Sequence, residues 1–220
     1  MIKRVVFFLA CFWFLFYNAC LASSLPKDYQ DITDTSVTEV LAIKQTYFPN
    51  RDNTYYLEIN VKKATMLVYQ VVKNEEGAPE LELLSKHKVG TPKVKEYPEG
   101  FGIITSVEFN PPWIPTSEII EEFKKRGIDL SKFRNNDGTI VVPAGSPMNF
   151  MGAVKMRISF ITPQKTAKTR REVYRIHGVL PRYKRLLGTR CSGGCIRMDN
   201  NEIKDLANMT QGAAVIVQYI

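Results

Sequence analysis

Cys191-Ser192-Gly193-Gly194-Cys195-Ile196-Arg197-Met198, read together with Ile176-His177-Gly178, is the stretch on which the chain turns. A thiol follows two glycines and precedes an arginine. One of only two histidines in the protein lies 18 positions before it. Nucleophilic thiol chemistry needs a cysteine, a base to take its proton, and backbone N–H groups free to hold an oxyanion. Gly193 and Gly194 suit the last task, because glycine lets the main chain come close to a ligand. Cys195 is therefore the candidate nucleophile and His177 the candidate general base. A free thiol ionises near pH 8.5, roughly, so Cys195 needs such a partner. The bland alternatives are a small buried hydrophobe and a satisfied histidine at a strand end. His87 sits within an ordinary strand pattern and is read as structural.

Working outward, the chain reads as mainly β. Apolar residues at period two predict strands over 55–61 and 66–72, joined as a hairpin across Lys62-Lys63. Further strands are expected over 81–89, 101–107, 139–142, 153–161, 172–177 and 213–219. Gly90-Thr91-Pro92 and the 97–100 stretch read as turns. One good helix is expected over 117–126, with Glu118, Glu121 and Glu122 early and Lys124, Lys125 and Arg126 late, as the helix dipole favours. A second runs over 199–209, with Asp199 and Glu202 at capping-box spacing. Many strands with a few short helices point to a β-sandwich-like domain. The proline-rich loop 110–115, with Trp113 in it, and the helix after it form a lid-like insertion.

The 220 residues suffice for one domain with a core and an appendage. Residues 1–22 read as a signal peptide: Lys3 and Arg4 precede an apolar run over 5–17 that is short for a membrane span. Contact with a membrane would come only through that signal. Residues 23–53 read as a linker or N-terminal extension with one weak helical segment at 37–43, and 54–220 as the main domain. Export places the mature chain where disulfides are permitted. Losing Lys3 and Arg4 takes the net charge from +8 to +6. A positive exported protein suits an anionic envelope polymer, and nothing resembles a nucleic-acid motif. The basic runs Lys165, Lys168, Arg170, Arg171 and Arg182, Lys184, Arg185, Arg190 are a solvated face or a surface for such a polymer.

The spacing from Ile176-His177-Gly178 to Ser192-x-Gly194-Cys195-Ile196-Arg197-Met198 resembles the signature of the YkuD-type L,D-transpeptidase catalytic domain. Gly100-Phe101 with Asn110-Pro111-Pro112-Trp113-Ile114-Pro115 resembles a second segment of that family. Val141-Val142-Pro143-Ala144-Gly145 with Asn149 and Gly152 resembles a third. Many members carry histidine where this chain has Gly193. The resemblance implies the same fold and a bacterial enzyme of the periplasm or cell envelope. It implies peptidoglycan stem peptides as partners, with an envelope-protein acceptor as an alternative, and no metal or organic cofactor. Cys195 would form an acyl-enzyme with release of D-alanine, and a diamino-acid amine would resolve it to a 3→3 cross-link. Resolution by water would make a carboxypeptidase or endopeptidase. From a different class, the chain would be an inactive wall-binding module. Gly194, Ser192 and Gly193 would shape the oxyanion site. Arg197, Gly178, Trp113 and Asn149 would contact substrate; the alternatives are that Arg197 pins loop carbonyls near the thiol and that Trp113 packs under the lid. The resemblance also implies that the second ring nitrogen of His177 is held by a hydroxyl or a carbonyl, and Gly178 offers no hydroxyl. Carbapenems would acylate the thiol. Cys191 lies outside the motif. It is either a bystander or, across the glycine turn, a partner for a reversible disulfide with Cys195.

Overall fold

Alternating residues of the predicted strands share one buried face, and that face assembles most of the domain. The computed structural model describes residues 34–93, 97–98, 100–161 and 174–220. The signal peptide, residues 23–33, the start of the strand expected at 172 and the basic residues Lys165 to Arg171 lie outside the described residues. Ten strands are described: β1 (Thr54–Asn60), β2 (Thr65–Lys73), β3 (Pro79–Lys88), β4 (Thr91–Pro92), β5 (Gly100–Phe109), β6 (Val154–Phe160), β7 (Tyr174–Gly178), β8 (Arg190–Ser192), β9 (Ile196–Met198) and β10 (Ala214–Tyr219). The helices are α1 (Asp34–Tyr47), α2 (Ser117–Lys125) and α3 (Asn200–Met209).

Eight strands form one sheet in the order β3-β2-β1-β10-β5-β6-β7-β9. β1 pairs parallel with β10 and β7 parallel with β9; the other neighbours are antiparallel. Met66 and Val68 of β2 share one apolar cluster with Ile196 and Met198 of β9, near the opposite end of the sheet. A flat sheet could not bring those ends together, so the sheet curls around its core, as strand twist allows. α3 fills the concave side with Ile203 and Leu206. The mainly β expectation is met.

The structure corrects several local expectations. Gly90-Thr91-Pro92 is not a simple turn: Thr91-Pro92 is β4, which pairs parallel with β8. The buried Thr91 hydroxyl donates to the Val61 carbonyl at 2.8 Å. Residues 139–142 make no sheet strand, only isolated bridges from Ile140 to Arg134 and from Val142 to Trp113. Their apolar side chains join a separate small core with Trp113, Phe123, Leu130 and Met151. The 37–43 segment is part of a longer helix, α1, in which Val40 is fully buried. In α3, Asp199 caps the Asn201 N–H at 2.9 Å, while Glu202 turns to His87, 3.4 Å away. His87 also meets the Ser85 hydroxyl at 2.8 Å, in keeping with a structural histidine.

Residues 110–153 form the insertion. Trp113 lies 4.9 Å from Phe150 and 5.8 Å from Phe123, ring centre to ring centre. Phe150 continues to Tyr183 at 5.3 Å, which ties the insertion to the 3-10 helix Pro181–Leu186 beside the site.

Candidate functional site

Parallel pairing of β7 with β9 sets Ile176 against Ile196, His177 against Arg197 and Gly178 against Met198. Ile176, Ile196 and Met198 face the core. By strand alternation, Arg175, His177 and Arg197 belong to the opposite face. Cys195 immediately precedes β9, and Arg175 stands beside it.

His177 is buried, and its Nδ1 lies 2.7 Å from the carbonyl oxygen of Gly178. A carbonyl only accepts, so Nδ1 carries the hydrogen and Nε2 presents its lone pair. The carbonyl sought from sequence is the one immediately following the histidine. Burial above all, with Arg197 and Arg175 adding to it, holds the imidazole down at about 4, against the carbonyls of Gly178 and Met151. Burial pushes the Cys195 thiol up, opposed by Arg175, through its guanidinium and backbone N–H, and by Arg197. At neutral pH the resting pair is therefore an uncharged thiol and an uncharged imidazole. No hydrogen bond joins them among the described residues; such bonds often close only when substrate arrives. A thiolate formed beside the ring would in turn favour the imidazolium.

Ser192 is buried and its hydroxyl donates to the Cys195 carbonyl. The Gly194 N–H points at that hydroxyl, 3.3 Å away. Gly194 is thereby engaged in shaping the turn before Cys195. Added methyl groups at Gly193 and Gly194 would meet nothing within 4 Å. Among the described residues, neither glycine answers to crowding.

Three residues expected to contact substrate have structural duties. Trp113 is buried in the insertion's aromatic core. Asn149, also buried, donates to the Pro111 carbonyl at 2.8 Å and the Pro143 carbonyl at 3.1 Å, and accepts from the Met151 N–H at 2.8 Å. Gly178 is a packing position: a methyl group there would lie 2.1 Å from Asn200 Oδ1. Arg197 is half-buried and donates to the Cys191 carbonyl at 3.2 Å. Cys191 and Cys195 are both free thiols. The Cys191 sulfur faces Gly90 and Arg197, whereas Arg175 faces Cys195. The described residues contain no group of three or more histidine, cysteine or acidic side chains able to hold a metal.

A model of the L,D-transpeptidase catalytic domain, YkuD, matches residues 54–217. The chain belongs to the YkuD family of L,D-transpeptidase catalytic domains. A probable L,D-transpeptidase, YcfS, of Escherichia coli K12 is 31% identical over 140 residues, covering 57% of this chain and 38% of that protein. Among solved structures, an L,D-transpeptidase from Mycobacterium smegmatis is 19% identical, with a TM-score of 0.42, and covers 76% of this chain and 59% of its own. The Campylobacter jejuni helical cell shape determining protein Pgp2, as its K307A mutant, is 18% identical, with a TM-score of 0.46, covering 76% of this chain and 47% of its own. This chain thus spans about two fifths of the length of YcfS.

In this YkuD domain, sequence reasoning missed Arg175 and Asn200. Period two from His177 would have pointed to Arg175; no local signal marks Asn200. Arg175→Gln is expected to slow alkylation of Cys195 by iodoacetamide several-fold at neutral pH and to move the midpoint of its pH profile upward. The thiolate loses the guanidinium that favours its charge, and Arg175→Lys restores part of the rate. The measurement belongs in a Cys191→Ala background without residues 1–22. An unchanged profile would show that the guanidinium does not stabilise the sulfur.

Proposed function

We propose that this chain is an exported peptidoglycan L,D-transpeptidase acting through a Cys195 acyl-enzyme. The observation that carries the reading is His177, fixed by the Gly178 carbonyl as an Nδ1–H imidazole, on the strand that pairs with the strand following Cys195. Nε2 takes the thiol proton, and the sulfur attacks the carbonyl of the stem's diamino acid, whose bond to the terminal D-alanine is to break. The Cys195 N–H receives the oxyanion. The imidazolium returns its proton to the departing amine, D-alanine leaves, and a thioester remains. The side-chain amine of a second stem attacks that thioester, loses a proton to His177 and forms the 3→3 cross-link. An envelope protein's lysine could occupy the acceptor position by the same chemistry.

A second reading has water resolve the thioester, since methyl groups added at Gly193 and Gly194 would meet nothing within 4 Å among the described residues. The two differ in product. Incubation with purified disaccharide-tetrapeptide, followed by separation and mass analysis of the products, is expected to show free D-alanine together with a 3→3-linked dimer. Free D-alanine with tripeptide alone would replace transpeptidation by carboxypeptidase activity. No D-alanine release by reduced protein would return weight to a wall-binding module. The signal peptide and envelope location belong to this proposal as well; no helix among the described residues is long and apolar enough to cross a membrane.

A further inference from the structure

His177 owes its tautomer to the Gly178 carbonyl, so whatever fixes that carbonyl also fixes the base. Three chain segments meet there: the return of the insertion at Gly152-Ala153, the end of the base strand at Gly178-Val179, and the first residue of α3, Asn200. The Asn200 amide spans them. Its Oδ1 accepts from the Ala153 N–H at 2.9 Å, and its Nδ2 donates to the Val179 carbonyl at 2.8 Å. An amide carries a donor and an acceptor in one plane, so it can bind an N–H of one segment and a C=O of another. The packing is made for it. A methyl group would lie 2.1 Å from Oδ1 at Gly178 and 2.5 Å at Gly152, where φ is also +65°. Glycine at both positions leaves the space that the asparagine occupies. The same junction carries Met151, whose carbonyl faces the His177 ring and whose N–H is held by Asn149.

We propose that Asn200 is a positioning residue for the general base: by clamping Ala153 to Val179 around Gly178 it holds the Gly178 carbonyl on His177 Nδ1 and keeps Nε2 free for the thiol proton. The inference rests on the reading of His177 as base, and extends it to a residue five positions after the nucleophile. α3 begins directly after β9, so one helix start joins the nucleophile's strand to the base's strand.

With only two histidines in the chain, nitrogen NMR of ring-labelled protein reads the His177 tautomer directly once a His87→Gln variant has removed the other signal. The wild type is expected to show the Nδ1–H form alone. Asn200→Ala is expected to show both tautomers and a kcat lower by roughly 10–100-fold at unchanged KM, the usual size for loss of a group that orients a functional histidine. Asn201→Ala, an exposed neighbour, leaves both unchanged. Should Asn200→Ala fail to fold, Asn200→Asp decides: it keeps the acceptor for Ala153, loses the donor to Val179, and is expected to give a mixture of tautomers. A folded variant of either kind with the wild-type tautomer overturns the proposal. Inactivity of the wild type on stem peptides would overturn the proposed function instead, and the tautomer measurement would still test Asn200.

Discussion

Replacing Cys195 by alanine is expected to abolish both D-alanine release and the mass adduct formed with a carbapenem, while Cys191→Ala is expected to retain both. A carbapenem offers a strained acyl group, so a thiol activated for acyl transfer is trapped as a stable thioester. The two cysteines are separated by environment. Arg175 approaches Cys195 through its guanidinium and its backbone N–H, and Cys195 directly precedes the strand that pairs with the strand of His177. Cys191 presents its sulfur to Gly90 and Arg197. Loss of a nucleophile from a unit of interdependent groups removes almost all of its catalysis, at least about 10⁴-fold. Intact mass of the reduced proteins is the check. An adduct on Cys195→Ala, or none on the wild type, would remove Cys195 from its assigned role.

Gly178→Ala is the second large effect. The added methyl group would sit 2.1 Å from Asn200 Oδ1 and 2.8 Å from the Ala153 nitrogen. Neither can yield cheaply, because each is half of the hydrogen bond joining them at 2.9 Å. Overpacking of this kind costs about 2–3 kcal/mol, which lowers Tm by roughly 5–10 °C for a domain of this size. Activity should fall further than stability accounts for, since the displaced residue carries the carbonyl that orients His177. Thermal unfolding and D-alanine release measured on the same preparation separate the two effects. Combining Gly178→Ala with Asn200→Ala removes the closer of the two obstacles, so the double variant should regain part of the Tm lost by Gly178→Ala alone. Strict additivity would mean that the clash lies elsewhere.

The long strands were legible from the chain because each shows several turns of period two before its pattern ends. β2, β6 and β10 lie within one or two residues of their expected bounds. The three-residue strands β8 and β9 were not legible, for three residues cannot display a period. Residues 139–142 have strand-like side chains, and their apolar surface is taken up by the insertion's own core. Propensity gave way there to the nearest available burial.

Cys195, His177 and the neighbouring glycines stand out in sequence because their types and order suit thiol chemistry regardless of distant contacts. The β-rich character follows likewise from local alternation. Everything that depends on register was decided by the tertiary structure. Parallel pairing of β7 and β9 puts Arg175 beside the sulfur and sets Arg197 against His177, while the fold of the glycine turn leaves the Arg197 guanidinium on the Cys191 carbonyl. Closure of the insertion turns Trp113 and Asn149 inward and brings Asn200 between two glycines. These contacts join segments 21 to 47 residues apart, as in the two bonds of Asn200. A local pattern carries no information about which distant carbonyl a side chain will meet; the curl of the sheet and the packing of the insertion supply it.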